Sequence, residues 1–368
     1  MTNFLLLISA IGALILLAFM LKRSSARAQR DTQPIAPKRA RVIDSGLEQR
    51  IEEVRAAQQP TLPERILNFR LLTEEEVTPS AHNTLMKEIR NFKKPPDSLH
   101  SLLSPASLTR ASTQELADII KQEPVLVAKI MSAVNSPLYG LQQQITSVQH
   151  GIAFMGVNAI RDLAIRYMLE DAAQSVAPEF RKLYQRIWNT SILASQLCQL
   201  LLRQLQQQNI AEASTRTILS FLGDLPLINI MGAADAERIW SLPLLERISE
   251  QQQTCGVNSD IAGRITLQQW NIPQGIILGI DRVHRVPFMT TQAEDDSAVQ
   301  AILIYLSARL CDDLMSARTE VFDDDLLARD EYVGAMGALP ESVRSGMLNA
   351  LNSVDIRALS DRIRDQRA

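Results

Sequence analysis

Residues 220–231 read "SFLGDLPLINIM", an apolar run broken by a single acidic side chain. Asp224 stands beside Gly223, with Leu or Ile on nearly every other side and Pro226 two residues on. Burying a lone carboxylate is costly unless it is hydrogen-bonded, ion-paired, capping a helix or holding a metal. Which of these applies depends on what surrounds the stretch.

On both sides the chain reads as helices joined by short loops. Ser112 and Glu115 form a capping box ahead of a helix that should bury Leu116, Ile119 and Ile120. Pro124 suits a first helical turn, and Val127, Ile130, Met131 and Val134 form the inner stripe of the helix that Pro137 ends. Thr146 and Gln149 read as a second capping box, with Gly156 as the next stop. A long helix is expected over 181–206, carrying Leu183, Ile187, Leu193, Leu197 and Leu201. Further helices are expected over 211–221, 243–253, 261–270, 273–283 and 297–315, and the tail 316–368 reads as charged and helical in patches. No stretch alternates with period two for long enough to suggest a sheet. The expected class is all-α.

Composition agrees with that class. Of 368 residues only 14 are Gly and 5 % are aromatic, and the formal net charge of -3 argues against a nucleic-acid surface over the whole protein. Cys198, Cys255 and Cys311 lack CxxC-like spacing and read as free thiols rather than a disulfide framework or zinc site. There is no Walker loop, GxGxxG or GxSxG. The acidic run Asp323-Asp324-Asp325 reads as a solvated loop.

The first sixty residues read differently. Residues 4–21, "FLLLISAIGALILLAFML", are uncharged and just long enough for a transmembrane helix, which needs about 17–25 residues. Lys22, Arg23, Arg27 and Arg30 follow it and no basic residue precedes it, the reverse of a signal peptide. The positive-inside rule then places the amino terminus outside, the rest in the cytoplasm and the protein in the inner membrane, with a basic tether and spacer over 22–62 that can touch lipid.

Several motifs, in order, resemble one family. They are "ELADIIKQEPVLVAKIMSAVNSPLYG" (115–140), "ITSVQHGIAFMGVNAIRDLAI" (145–165), "IWNTSILASQLC" (187–198), "FLGDLPLINI" (221–230) and "NSDIAGRITLQQWNIPQGIILGI" (258–280). Residues 90–315 resemble the HDOD domain, the HD-related output domain of bacterial signalling proteins. The resemblance implies an HD-like helical fold, similar to phosphohydrolases in which His residues and a His-Asp doublet hold divalent metals that activate water. Laid on that pattern, the first His position falls at Thr190 and the doublet at Gly223-Asp224. A third His position falls at Ser259, the late His-His pair at Val283-His284, and the final Asp near Ala308. Only Asp224 and His284 keep a ligand-type side chain, too few to close a metal site.

Independently of the family, the four histidines, His82, His100, His150 and His284, include no local ligand pair. Asp224 is then expected to cap a helix beginning near Pro226. The expected function is non-catalytic, with no cofactor and no metal: signalling or scaffolding by binding an unidentified cytoplasmic or membrane signalling protein. Two alternatives stay open. One is a nucleotide-sensing module that uses the degenerate cleft. The other is a divergent metal-dependent phosphohydrolase in which Asp260 or Asp281 assists Asp224 and His284.

Overall fold

The computed structural model describes residues 62–92, 112–173, 177–289, 291–322 and 324–367. Among these the regular elements are all helical. After a single turn at Glu64–Leu67 come α1 (Pro79–Asn91), α2 (Thr113–Ile120), α3 (Pro124–Val134), α4 (Val148–Met155) and α5 (Val157–Ala173). The middle of the chain forms α6 (Arg181–Gln204), α7 (Ile210–Leu219), α8 (Asp224–Met231), α9 (Ala233–Ser241), α10 (Leu244–Cys255), α11 (Ser259–Gln269) and α12 (Gln274–Arg285). Helices α13 (Asp296–Met315), α14 (Asp330–Ala338), α15 (Glu341–Leu351) and α16 (Val354–Arg367) complete it.

The two longest helices, α6 and α13, pack along each other and form the spine. Leu193, Leu197, Cys198 and Leu201 of α6 meet a face of α13 that is buried almost throughout. Helix α7 lies against both, α12 covers α13, and α8 joins α10 and α11 to α1. Helices α2–α4 pack on one another, with α5 against α3 and α4.

Local signals explain most boundaries. Ser112 accepts from the Glu115 N–H while the Glu115 carboxylate accepts from the Ser112 N–H, the expected box. Gly156 ends α4 with φ 84°, a conformation that glycine adopts without strain. The second box is displaced by one residue: Ser147, not Thr146, caps α4 by accepting from the His150 N–H. All three cysteines are buried free thiols, and burial pushes Cys198 up to about 11 and Cys255 up to about 12.

Two expectations need correction. The segment from Ser316 onward is three well-formed helices that pack on the spine, because Tyr332 and Met336 of α14, Met347 of α15, and Ile356, Leu359 and Ile363 of α16 bury apolar faces. A single turn at Asp324–Leu327 begins within the acidic run read as a loop. The inner-membrane location is the second correction. No helix among the described residues is long and apolar enough to cross a membrane. Helix α13 has the length, but it carries Arg309, Asp312 and Asp313 and is spent on the core. The run 4–21 and the basic tether that motivated a membrane location lie outside the described residues.

Candidate functional site

The loop between α7 and α8 brings the opening stretch against α11. Gly223 touches the first turn of α11 so closely that a Cβ on it would lie 1.7 Å from the Ser259 carbonyl oxygen. Gly263, one turn further along α11, lies against the Gly223 backbone. Glycine is required here by close approach of two backbones. A histidine in its place would drive α8 and α11 apart.

Asp224 is the first residue of α8 and does not cap it. The position before it is Gly223, and no side chain accepts from the helix N-terminus. Its carboxylate is 6 % exposed and accepts from Gln251 Nε2 at 2.9 Å. The other end of the Gln251 amide accepts the Ser259 N–H at 3.1 Å, so one glutamine on α10 ties the starts of α8 and α11 together. Burial raises the Asp224 pKa against the opposing pull of Arg247 and Gln251. The reading of Asp224 as a helix cap is therefore replaced by a buried, hydrogen-bonded carboxylate.

Asp224, Ser259, Val283, His284 and Ala308 line one cavity of about 40 Å³. Thr190 and Gly223 do not line it. The Thr190 hydroxyl, fully buried, donates to the Arg186 carbonyl within its own helix at 2.8 Å. Val283 is buried and offers no donor atom. His284 lies between two acceptors: its Nδ1 is 2.6 Å from Asp260 Oδ1 and its Nε2 is 3.3 Å from the Ser220 carbonyl oxygen. With Asp260 ionised neither partner donates, so the charged imidazolium, with a hydrogen on each nitrogen, is the form that satisfies both contacts. Burial pulls the imidazole pKa down, but the Asp260 carboxylate outweighs it and the net shift is upward. The same pairing overcomes the effect of burial on Asp260 and holds its carboxyl below the usual range. Asp281 faces Arg264 at 3.3 Å.

Asp260 lines the cavity as well, and the rest of the lining is supplied by residues without a metal-binding role in the family pattern. Arg247 and Arg309 flank the cavity, with Tyr305, Leu244, Ile248 and Leu71. Behind them Asp312, fully buried, meets Arg247 at 2.7 Å, Arg318 at 2.9 Å and Arg309 at 3.1 Å. These three guanidinium groups overcome burial and hold the Asp312 carboxyl down to about 2. Arg247 also stacks over the Trp240 ring at 4.6 Å. Sequence reasoning missed Arg247, Gln251, Arg309 and Asp312. The available signal was charge within helices otherwise destined for the core, above all "ARLCDD" at 308–313.

The donor set does not fit a divalent ion. Both nitrogens of His284 are directed at acceptors, Gly223 has no side chain and no room for one, and two arginines share the cavity with Asp224. Among the described residues no group of three or more His, Cys, Asp or Glu side chains could hold a metal.

An all-α bundle with this helix order and a cleft at the α8–α11–α12 junction defines an HD-related helical protein. The sequence matches the HDOD domain over residues 93–286, just over half of the chain, and the chain belongs to that family. A crystal structure from Shewanella amazonensis SB2B, of a protein provisionally named a phosphohydrolase, aligns with TM-score 0.52 at 16 % identity, covering 77 % of this chain and 98 % of that one. An HDOD domain protein of unknown function from Geobacter sulfurreducens aligns with TM-score 0.49 at 15 % identity, covering 86 % of this chain and 99 % of that one. A Marinobacter aquaeolei VT8 protein provisionally named for signal transduction gives TM-score 0.49 at 15 % identity, over 86 % of this chain and 66 % of that one. At such identities the likeness is one of fold. No curated protein matches the sequence.

Proposed function

We propose that this HDOD protein is a non-catalytic signalling module whose work is to bind a partner protein. The observation that carries the reading is His284. As the one surviving histidine of the metal pattern, it has both ring nitrogens directed at acceptors, an arrangement that favours the imidazolium, which has no lone pair for a metal or a proton. A phosphohydrolase of the HD type needs a metal-activated water. Here Asp260, the carboxylate called on to help, is committed to His284, and Asp281 to Arg264. A nucleotide sensor is also disfavoured: a cavity of about 40 Å³ holds a few waters at most and has no room for a nucleoside.

Elemental analysis of the purified full chain, paired with hydrolysis assays on phosphomonoesters and cyclic dinucleotides in Mn, Mg and Fe, tests the reading. The expected result is no stoichiometric ion after desalting and no turnover above a metal-only blank. A tightly bound ion, or turnover lost in His284→Ala, would restore the enzyme.

A further inference from the structure

The cavity is closed by a part of the chain that precedes the matched HDOD span. Residues 62–73, outside the family match that begins at 93, bring Leu71 to it. Leu71 lines the cavity together with Arg247 and Ile248. Leu62 and Ile66 form a small core with Leu245, and the Phe69 ring stacks on Phe288 at 5.6 Å. Between these apolar anchors the main chain is read by an amide. Gln252 accepts the Leu72 N–H at 2.8 Å and donates to the Arg70 carbonyl at 3.0 Å. Asn258 holds the same glutamine at 3.0 Å. A side-chain amide satisfying the N–H and C=O of two nearby residues recognises a non-helical backbone whatever its side chains, much as a sheet edge does.

The strap is held loosely along its edges. Open grooves of about 480 Å³ and about 330 Å³ run beside it, and Arg65 borders both. Its ion pair from Arg65 to Glu246 is solvent-exposed, and the Arg70 side chain is 82 % exposed. Exposed pairs of this kind add little stability.

We infer that residues 62–73 are a displaceable occupant of a peptide groove built by α10 and the cleft, and that the partner is an extended peptide with a leucine-like side chain at the Leu71 position. The strap is its own evidence for that chemistry: it is a chain segment seated there by Leu62, Ile66, Phe69 and Leu71 and by a main-chain-reading glutamine. Partner and strap compete, so the groove is available only to the fraction of molecules with the strap released. The inference deepens the partner-binding reading and rests on it.

Fluorescence anisotropy with a labelled peptide of residues 62–76 tests it on the full chain. A strap-released variant, Phe69→Ser with Leu71→Asp, should bind the peptide about tenfold or more tightly than the wild type. Adding Gln252→Ala to that variant should return affinity to the wild-type level. Equal affinity for wild type and released variant, or no binding by either, would overturn the groove. Because the released variant can lose stability, hydrogen exchange on the wild type gives an independent reading. Excess peptide should speed exchange at the Leu72 N–H several-fold, while a peptide carrying Leu71→Asp should not; no acceleration by either sinks the proposal. Metal content and turnover are measured separately, so failure here leaves the non-catalytic reading standing and failure there does not touch the strap.

Discussion

At the scale of single residues, His284 makes the cleft sensitive to alkali. Its folded pKa lies above the ordinary histidine value because of Asp260. A raised pKa means that the stabilisation is fully present below the unfolded value, about 6.5, and is lost as pH rises through the folded value. The groups that face the ring bear on this window: Asp260 favours the charged form, while Arg309 opposes it. Arg264 and Arg285 in turn help keep Asp260 ionised. Thermal melts from about pH 6 to about pH 9 should therefore show the wild type losing Tm relative to His284→Gln. Parallel curves for the two proteins would mean that the ring is neutral in the fold. Asp312 carries the opposite sign and matters only in acid, since its carboxyl is already ionised well below the ordinary range.

At the scale of elements, the crossing of α8 and α11 is set by backbone contact at Gly223 and Gly263. Gly223→Ala should cost about 3 kcal/mol or more, at or beyond the upper range for overpacking, because the obstacle is a backbone carbonyl that cannot rotate away. Gly275→Ala on α12 meets open space and should be neutral or gain up to about 1 kcal/mol. Urea melts of the two variants give the comparison, and a mild Gly223→Ala would show that the helices can slide apart. The helices themselves were legible because capping boxes, proline starts and glycine stops act locally. Ser112 and Gly156 lie where those rules put them. The Asp224 environment was not legible, since its partner Gln251 lies on another helix and no spacing rule connects the two. The same holds for Arg247 and Asp312, far apart in sequence and brought to 2.7 Å only in the folded chain. Positions 223, 259 and 283 could be flagged as lacking ligands from sequence, but not the reason that a ligand at 223 would not fit.

At the scale of the whole molecule, the last three helices belong to the bundle. Helices α15 and α16 pack on α6, and α14 and α16 on α13, with Arg344, Met347, Ile356 and Ile363 buried there. Tyr332 adds a hydrogen bond to Asp313 at 2.7 Å, so the charged cluster behind the cleft is finished only by α14. A chain ended after Ser316 should retain helix content by circular dichroism but lose a single cooperative thermal transition. An intact transition within a few degrees of the full chain would show that α14–α16 are dispensable.

That dependence has a consequence for how the protein is made. Helix α6 ends at residue 204 of 368 and is covered first by α7, which follows it directly, but the rest of its cover comes from α13, α15 and α16, which are synthesised later. Until then the part of α6 that α7 does not cover, on a helix that buries Leu193, Leu197 and Leu201, lacks its final partners. Contacts between distant parts of a chain close slowly, and an apolar face exposed meanwhile invites aggregation. The spine of the bundle therefore forms only late in translation, and the interval between the synthesis of α6 and that of α13 is when the nascent chain is most open to aggregation.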